Sequence, residues 1–168
     1  FGYPESYYDK PLTKTLFAQL NFDIADNGDF YVSFEADSLM YRYDHDYNQL
    51  ACFGFAGRDM DLNYLRWDSY DQPWKERLAE RMSRGFYNAV EYVDETGLLF
   101  RSYRKGGGSA TDGLQVYRDG VLVGDVDVPL GFRMAGYVAP YYYSYVVPDE
   151  EGERLYMFRF KWPSAPEE

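Results

Sequence analysis

Residues 29–34 read DFYVSF and alternate: Phe30, Val32 and Phe34 fall on one side of an extended chain, Tyr31, Ser33 and Glu35 on the other. A period of two over this length specifies a strand with one face turned to a core. Asn27-Gly28 stands just before it, and both residues tolerate positive φ. QLNFDIA and DFYVSF therefore form a hairpin around DNG. A strand at SLMYRYD, a turn over residues 45–48 and a strand at QLACFGF complete an antiparallel meander.

The same order recurs. FYNAVEYV turns through residues 94–97 into LLFRSY, and LQVYR turns through Asp119-Gly120 into VLVGDVDV. FRMAGYVA turns at Pro140 into YYYSYVV, then through residues 148–152 into RLYMFRF. Residues 29–34, 98–103 and 141–146 are thus predicted to be equivalent strands, as are LMYRY, LQVYR and LYMFR. A four-stranded unit returning after about 40 residues is the signature of a β-propeller blade. The predicted fold is all-β, with about three antiparallel blades in a partial ring. One blade spans 16–57, a helical insertion 58–84, a second blade 85–130, an incomplete blade 131–162 and a tail 163–168. In the insertion, Pro73 precedes Trp74, Leu78 and Met82 at i, i+4 and i+8. That pattern predicts a short amphipathic helix ending at Gly85 and packed on the sheet edges as a lid. Apolar alternation predicts burial of Phe30, Val32, Phe34, Leu39, Val90, Val116, Leu155 and Met157. Cys52, the single cysteine, lies in the apolar run LACFGF and is predicted to be a buried, inert thiol. One cysteine permits no internal disulfide and no cysteine-based zinc cage.

DIADNGDFYVSF, LMYRYDHDYNQL and FGFAG together resemble one NHL-type propeller blade, with its Asp and Gly turn, "YV" strand, "YD" turn and closing "FG..G". The aromatic-rich version ending in LYMFRFKW resembles the TolB-like six-bladed propellers of the Bacteroidetes. The resemblance covers most of residues 16–162 and implies a cell-envelope protein, in the periplasm or on the surface as a lipoprotein. It carries over no catalytic motif. Against a six-bladed family, two full units and a three-stranded third imply the C-terminal half of a ring. The missing half would come from upstream sequence or from a second copy of the chain.

Four stretches invite a chemical reading. Asp23, Asp26, Asn27 and Asp29 offer oxygens, but their spacing is not that of a calcium loop and no closing acid follows. A hairpin corner accounts for them. Asp44-His45-Asp46 holds the sole histidine and is predicted to be a hydrated turn. Arg104-Lys105-Gly106-Gly107-Gly108-Ser109 lacks the Gly-Lys-Ser/Thr order and the following helix of a phosphate loop, and is predicted to be a long flexible hairpin. Tyr141-Tyr142-Tyr143-Ser144-Tyr145 sends Tyr141, Tyr143 and Tyr145 one way and Tyr142 the other. One set packs between blades, and the other paves a groove for a sugar or peptide. The candidate ligand-binding residues are Tyr141, Tyr143, Tyr145, Trp67 and Trp74; no metal site and no cofactor is predicted.

The net charge of −11 repels phosphate backbones and argues against a nucleic-acid partner. No apolar run is long enough to span a bilayer. The expected function is a non-enzymatic binding or scaffold propeller for a protein, peptide or glycan. The alternative is a lactonase-like propeller hydrolase with a metal in the central funnel, which needs carboxylates from several blades at one strand end.

Overall fold

A computed structural model of the chain describes residues 19–64, 73–149 and 151–163. Among the described residues the architecture is antiparallel β-structure with one short helix. The first sheet is a meander of β1 (Leu20–Ile24), β2 (Phe30–Phe34), β3 (Met40–Tyr43) and β4 (Gln49–Phe53), in that order. After α1 (Trp74–Ser83), the second sheet repeats the plan with β5 (Phe86–Val93), β6 (Leu98–Arg104), β7 (Asp112–Arg118) and β8 (Val121–Val128). Arg118 pairs with Val121 across Asp119 and Gly120, whose φ values are +51° and +78°. Both central residues are left-handed, as the twist of a two-residue hairpin demands.

The third unit departs from its predicted register. β9 (Met134–Val138) and β10 (Tyr141–Ser144) pair as expected, but the third strand is β13 (Arg159–Phe160). The intervening β11 (Val147–Pro148) and β12 (Leu155–Tyr156) form a separate ribbon. β2, β6 and β10 are the second strands of their sheets, so the predicted equivalence holds for 30–34, 98–103 and 141–144; Tyr145 and Val146 lie beyond β10. The expectation for LYMFR does not hold. Leu155 and Met157 are 71% and 59% exposed, because the ribbon stands off the sheet and β13 begins farther along. Of the other residues predicted to be core, Val32, Val90 and Val116 are buried, and Phe30, Phe34 and Leu39 are half-buried.

The sheets stack in chain order. Ala25, Tyr31 and Met40 of the first unit meet Val90, Leu99 and Tyr117 of the second. On the opposite face of the second sheet, Leu98, Phe100, Leu114 and Val116 meet Phe132, Met134 and Tyr142. The middle sheet is covered on both faces, so β6 and β7 each bury every residue but the last. Val32, Tyr41 and Tyr43 form a further cluster on the other face of the first sheet. Cys52 is exposed, contrary to expectation: β4 is an edge strand, and an apolar run there does not imply two covered faces.

One polar side chain ties the first sheet to the second. Arg101 of β6 is fully buried, with its guanidinium carbon 3.2 Å from the centre of the Tyr87 ring. Its Nε donates to Ser33 Oγ at 2.8 Å and Nη1 to the Ser38 carbonyl at 2.7 Å, while Nη2 donates to the Asp37 carbonyl. Burial lowers the pKa of this group, opposed by Tyr87, Tyr117 and Asp37. The closing "FG..G" stretch makes a second tie. The Phe55 carbonyl accepts from Tyr87 Oη at 3.0 Å and Gln115 Nε2 at 3.1 Å, and the Gly57 N–H donates to Tyr87 Oη at 3.0 Å.

The helix is inverted relative to its prediction. Trp74, Leu78 and Met82 are 67%, 40% and 43% exposed, and the buried helix residue is Glu80. α1 docks through its charges: Arg84 bridges Glu80 at 2.9 Å and Asp61 at 2.8 Å, and Arg81 pairs with the buried Glu35. Arg81 also lies over the Phe86 ring, 4.5 Å from its centre. Among the described residues no helix is long and apolar enough to cross a membrane.

Candidate functional site

The stretches singled out from sequence resolve into structural parts. In the β1–β2 corner, Gly28 has φ +86° and its N–H donates to the Ala25 carbonyl. Its carboxylates diverge: Asp29 accepts from Arg42 Nε at 2.8 Å, and Asp23 accepts the Tyr92 N–H at 2.7 Å. Among the described residues no group of three or more His, Cys, Asp or Glu is placed to hold a metal. Asp44 organises the β3–β4 turn by accepting the N–H groups of Asp46 and Asn48, and its hydrogen bonds from Asn48 hold its pKa below the usual carboxylate value. His45 stays exposed on that turn. The glycine loop is less free than predicted. Lys105 is buried and bonds Asp127 at 2.7 Å, and the Gly107 N–H donates to the Ser83 carbonyl at the end of α1.

Of the five aromatic candidates, Trp67 lies outside the described residues, and Trp74 stands apart at the start of α1 with Arg77 over its ring at 5.9 Å. Tyr142 is buried against Phe100, while Tyr141 and Tyr143 are half-buried on the opposite face of β10. Tyr141 carries two cations on its ring, Arg159 at 4.8 Å and Lys161 at 5.1 Å. Tyr145 is separated from them. It follows β10 after a register shift, is 50% exposed and lies under Arg133, 5.3 Å from the ring centre.

Tyr145 lines a recess between the sheets. β1 runs beside β5, and β5 beside β9, so the first strands of all three sheets lie together. A cleft of about 270 Å³ opens there. β1 supplies Leu20, Asn21 and Phe22, β5 supplies residues 88–91, and Arg133, Met134 and Tyr145 come from around β9 and β10. The Tyr145 N–H donates to the Arg133 carbonyl at 2.8 Å and fixes that wall. A second recess of about 240 Å³, lined by Tyr31, Arg42, Tyr92 and Asp119 among others, lies at the other end of the first two sheets.

Two residues of the first cleft escaped notice in the sequence. Tyr87 pairs with Tyr103 and Ala89 with Ser102, which leaves Asn88 as the extra residue of a β-bulge. Bulges re-aim side chains, often beside functional sites. Asn88 Oδ1 is buried and accepts no hydrogen bond from any described residue. Such a group costs about 1–3 kcal/mol and calls for a reason. Glu91 is the other. Burial, and then the neighbouring Asp23, push its pKa from 4.5 up to about 7. Neither residue belongs to a motif; only a Tyr-Asn-Ala interruption in an alternating strand hints at the bulge.

The shift at Glu91 has a signed consequence. The folded chain holds this proton more tightly than the unfolded chain, so its contribution is fully favourable below pH 4.5 and is lost as pH rises through about 7. Glu91→Gln should therefore leave stability unchanged near pH 4 and raise it above pH 7. After allowance for the water-exposed part of the group, the gain is about 1 kcal/mol. Urea unfolding at pH 4, 6 and 8 checks it; a parallel offset at all three values contradicts the shift.

The chain matches no protein-family model, and comparison with curated proteins and with solved structures returns no significant match.

Proposed function

We propose that this chain is a non-enzymatic binding module built as blades of a β-propeller, holding a small polar ligand in the cleft where β1, β5 and β9 run together. The carrying observation is Asn88, a bulge residue with an unmet buried acceptor at a cleft walled by all three sheets. Binding sites combine apolar walls with a few convergent polar groups, and Asn21, Asn88, Glu91 and Arg133 are such a set. The propeller is supported by the repeated strand order, the face-to-face succession of sheets and the adjacency of their first strands. A TolB-like or NHL-type origin, residence at the cell envelope as a lipoprotein, and completion of the ring by a missing half or a second copy follow from the sequence resemblance.

NMR titration of the full chain with a mixed panel of sugars, amino acids and dipeptides tests the binding site. A bound member should shift amide signals of β1, β5 and β9, and Arg133→Ala should weaken it without lowering the melting temperature. Shifts confined to the Tyr141 face would move the site to the outer side of the third sheet.

One observation favours a second reading. Glu91, whose pKa is raised to about 7 by burial and by Asp23, has the character of a general acid beside a carboxylate. A hydrolase predicts turnover that Glu91→Gln abolishes; a binding module predicts ligand recovered unchanged after long incubation.

A further inference from the structure

Resting on that reading of the cleft, we infer that its ligand is a neutral saccharide, one ring of which lies against Tyr145 while its hydroxyls bond Asn88, Glu91 and Arg133. Phe22 and Tyr145 are 56% and 50% exposed, large aromatic surfaces left in water at the rim of a recess to which all three sheets contribute. An aromatic face covers the C–H face of a pyranose without needing charge.

The polar groups select against anions and cations. Phosphates and polyanions meet Glu91, the adjacent Asp23 and a chain of net charge −11. A cation meets the Arg133 guanidinium. A zwitterion would pair with both Arg133 and Glu91, and is the rival that the titration separates from a sugar. A hydroxyl both donates and accepts. It meets the side chain of Asn88, which lines the cleft and whose Oδ1 lacks a donor. It also accepts from Arg133, and it exchanges either role with Glu91. The size agrees: about 270 Å³ falls just below the roughly 300–1,000 Å³ of drug-sized pockets, which suits one sugar ring or the end of a chain.

The experiment is calorimetric and NMR titration of the full chain with galactose, xylose, N-acetylglucosamine and cellobiose, and in parallel with glycine, alanyl-alanine and inorganic phosphate. At least one sugar should bind with shifts confined to residues 20–23, 88–91 and 133–145. Asn88→Ala and Tyr145→Ala should each weaken it about tenfold or more, Tyr145→Phe should retain it, and none of the three variants should melt below the parent. Shifts in the cleft from glycine, alanyl-alanine or phosphate, with none from any sugar, overturn the saccharide assignment and leave the binding site standing. No shift in the cleft from any probe overturns both. Sugar binding undiminished by Asn88→Ala and Tyr145→Ala places the sugar elsewhere and overturns the inference.

Discussion

Arg101→Met is expected to lower the unfolding free energy by about 3–5 kcal/mol. Replacing a buried charge by a hydrophobe of similar length is often neutral when its partners are replaced as well. Here that is impossible, because the partners are the main-chain carbonyls of Asp37 and Ser38, together with Ser33 Oγ. Methionine fills the volume and leaves those acceptors buried without a donor. Lysine keeps the charge but not the planar fork, so Arg101→Lys should recover only a minor part. The same change loosens the turn between β2 and β3, and with it the seam between the first two sheets. Urea unfolding monitored by circular dichroism measures the effect. A loss below about 1 kcal/mol, at an unchanged slope, would show that the carbonyls find water or another donor.

Gly113→Ala ranks next. The Tyr103 ring is fully buried and flanked by two glycines. A Cβ on Gly57 would stand about 2.5 Å from the ring, and one on Gly113 would overlap its hydroxyl end. The ring has no freedom to yield, since Tyr103 Oη donates to Asp125 at 2.6 Å and lies 3.2 Å from the Arg58 carbonyl. Overpacking a rigid site costs about 1–3 kcal/mol and occasionally more; this clash belongs at the upper end. A double-mutant cycle separates the clash from the effect of alanine on the backbone. In a Tyr103→Leu background, Gly113→Ala should cost less than half as much. Equal costs in the two backgrounds would place the strain in the main chain instead.

Both positions sit where the sheets are joined, and the candidate cleft depends on that joining. Asn21 Nδ2 donates to the Tyr87 carbonyl at 3.2 Å, and Asp23 accepts the Tyr92 N–H. These two side chains cap backbone groups along the open edge of β5, on either side of the segment that lines the cleft. A variant that slides the first sheet along the second therefore loses the cleft before it loses secondary structure. Function and seam stability should fall together in Arg101→Lys.

The elements themselves were legible in the chain, because their determinants are local. Alternation in DFYVSF, positive φ at Gly28 and at Asp119-Gly120, and the proline before Trp74 each act within a few residues, and each produced the expected strand, turn or helix. Whatever required distant partners was not legible. Leu155 and Met157 have strand-like patterning, but β10 pairs with Arg159 and Phe160 instead, and no local rule ranks those two pairings. The Trp74, Leu78 and Met82 stripe implied a buried face, yet pairing of Arg81 with Glu35 and of Arg84 with Asp61 turned the helix over. The aromatic criterion found Tyr145 but not the cleft it borders, since Asn88 is exceptional only through the bulge opposite Tyr103 and Ser102. Arg101 meets the Asp37 carbonyl across 64 positions of sequence. Periodicity records which face of a strand is covered; which residues cover it is decided by the stacking of whole sheets, and that is where the seam and the cleft arise.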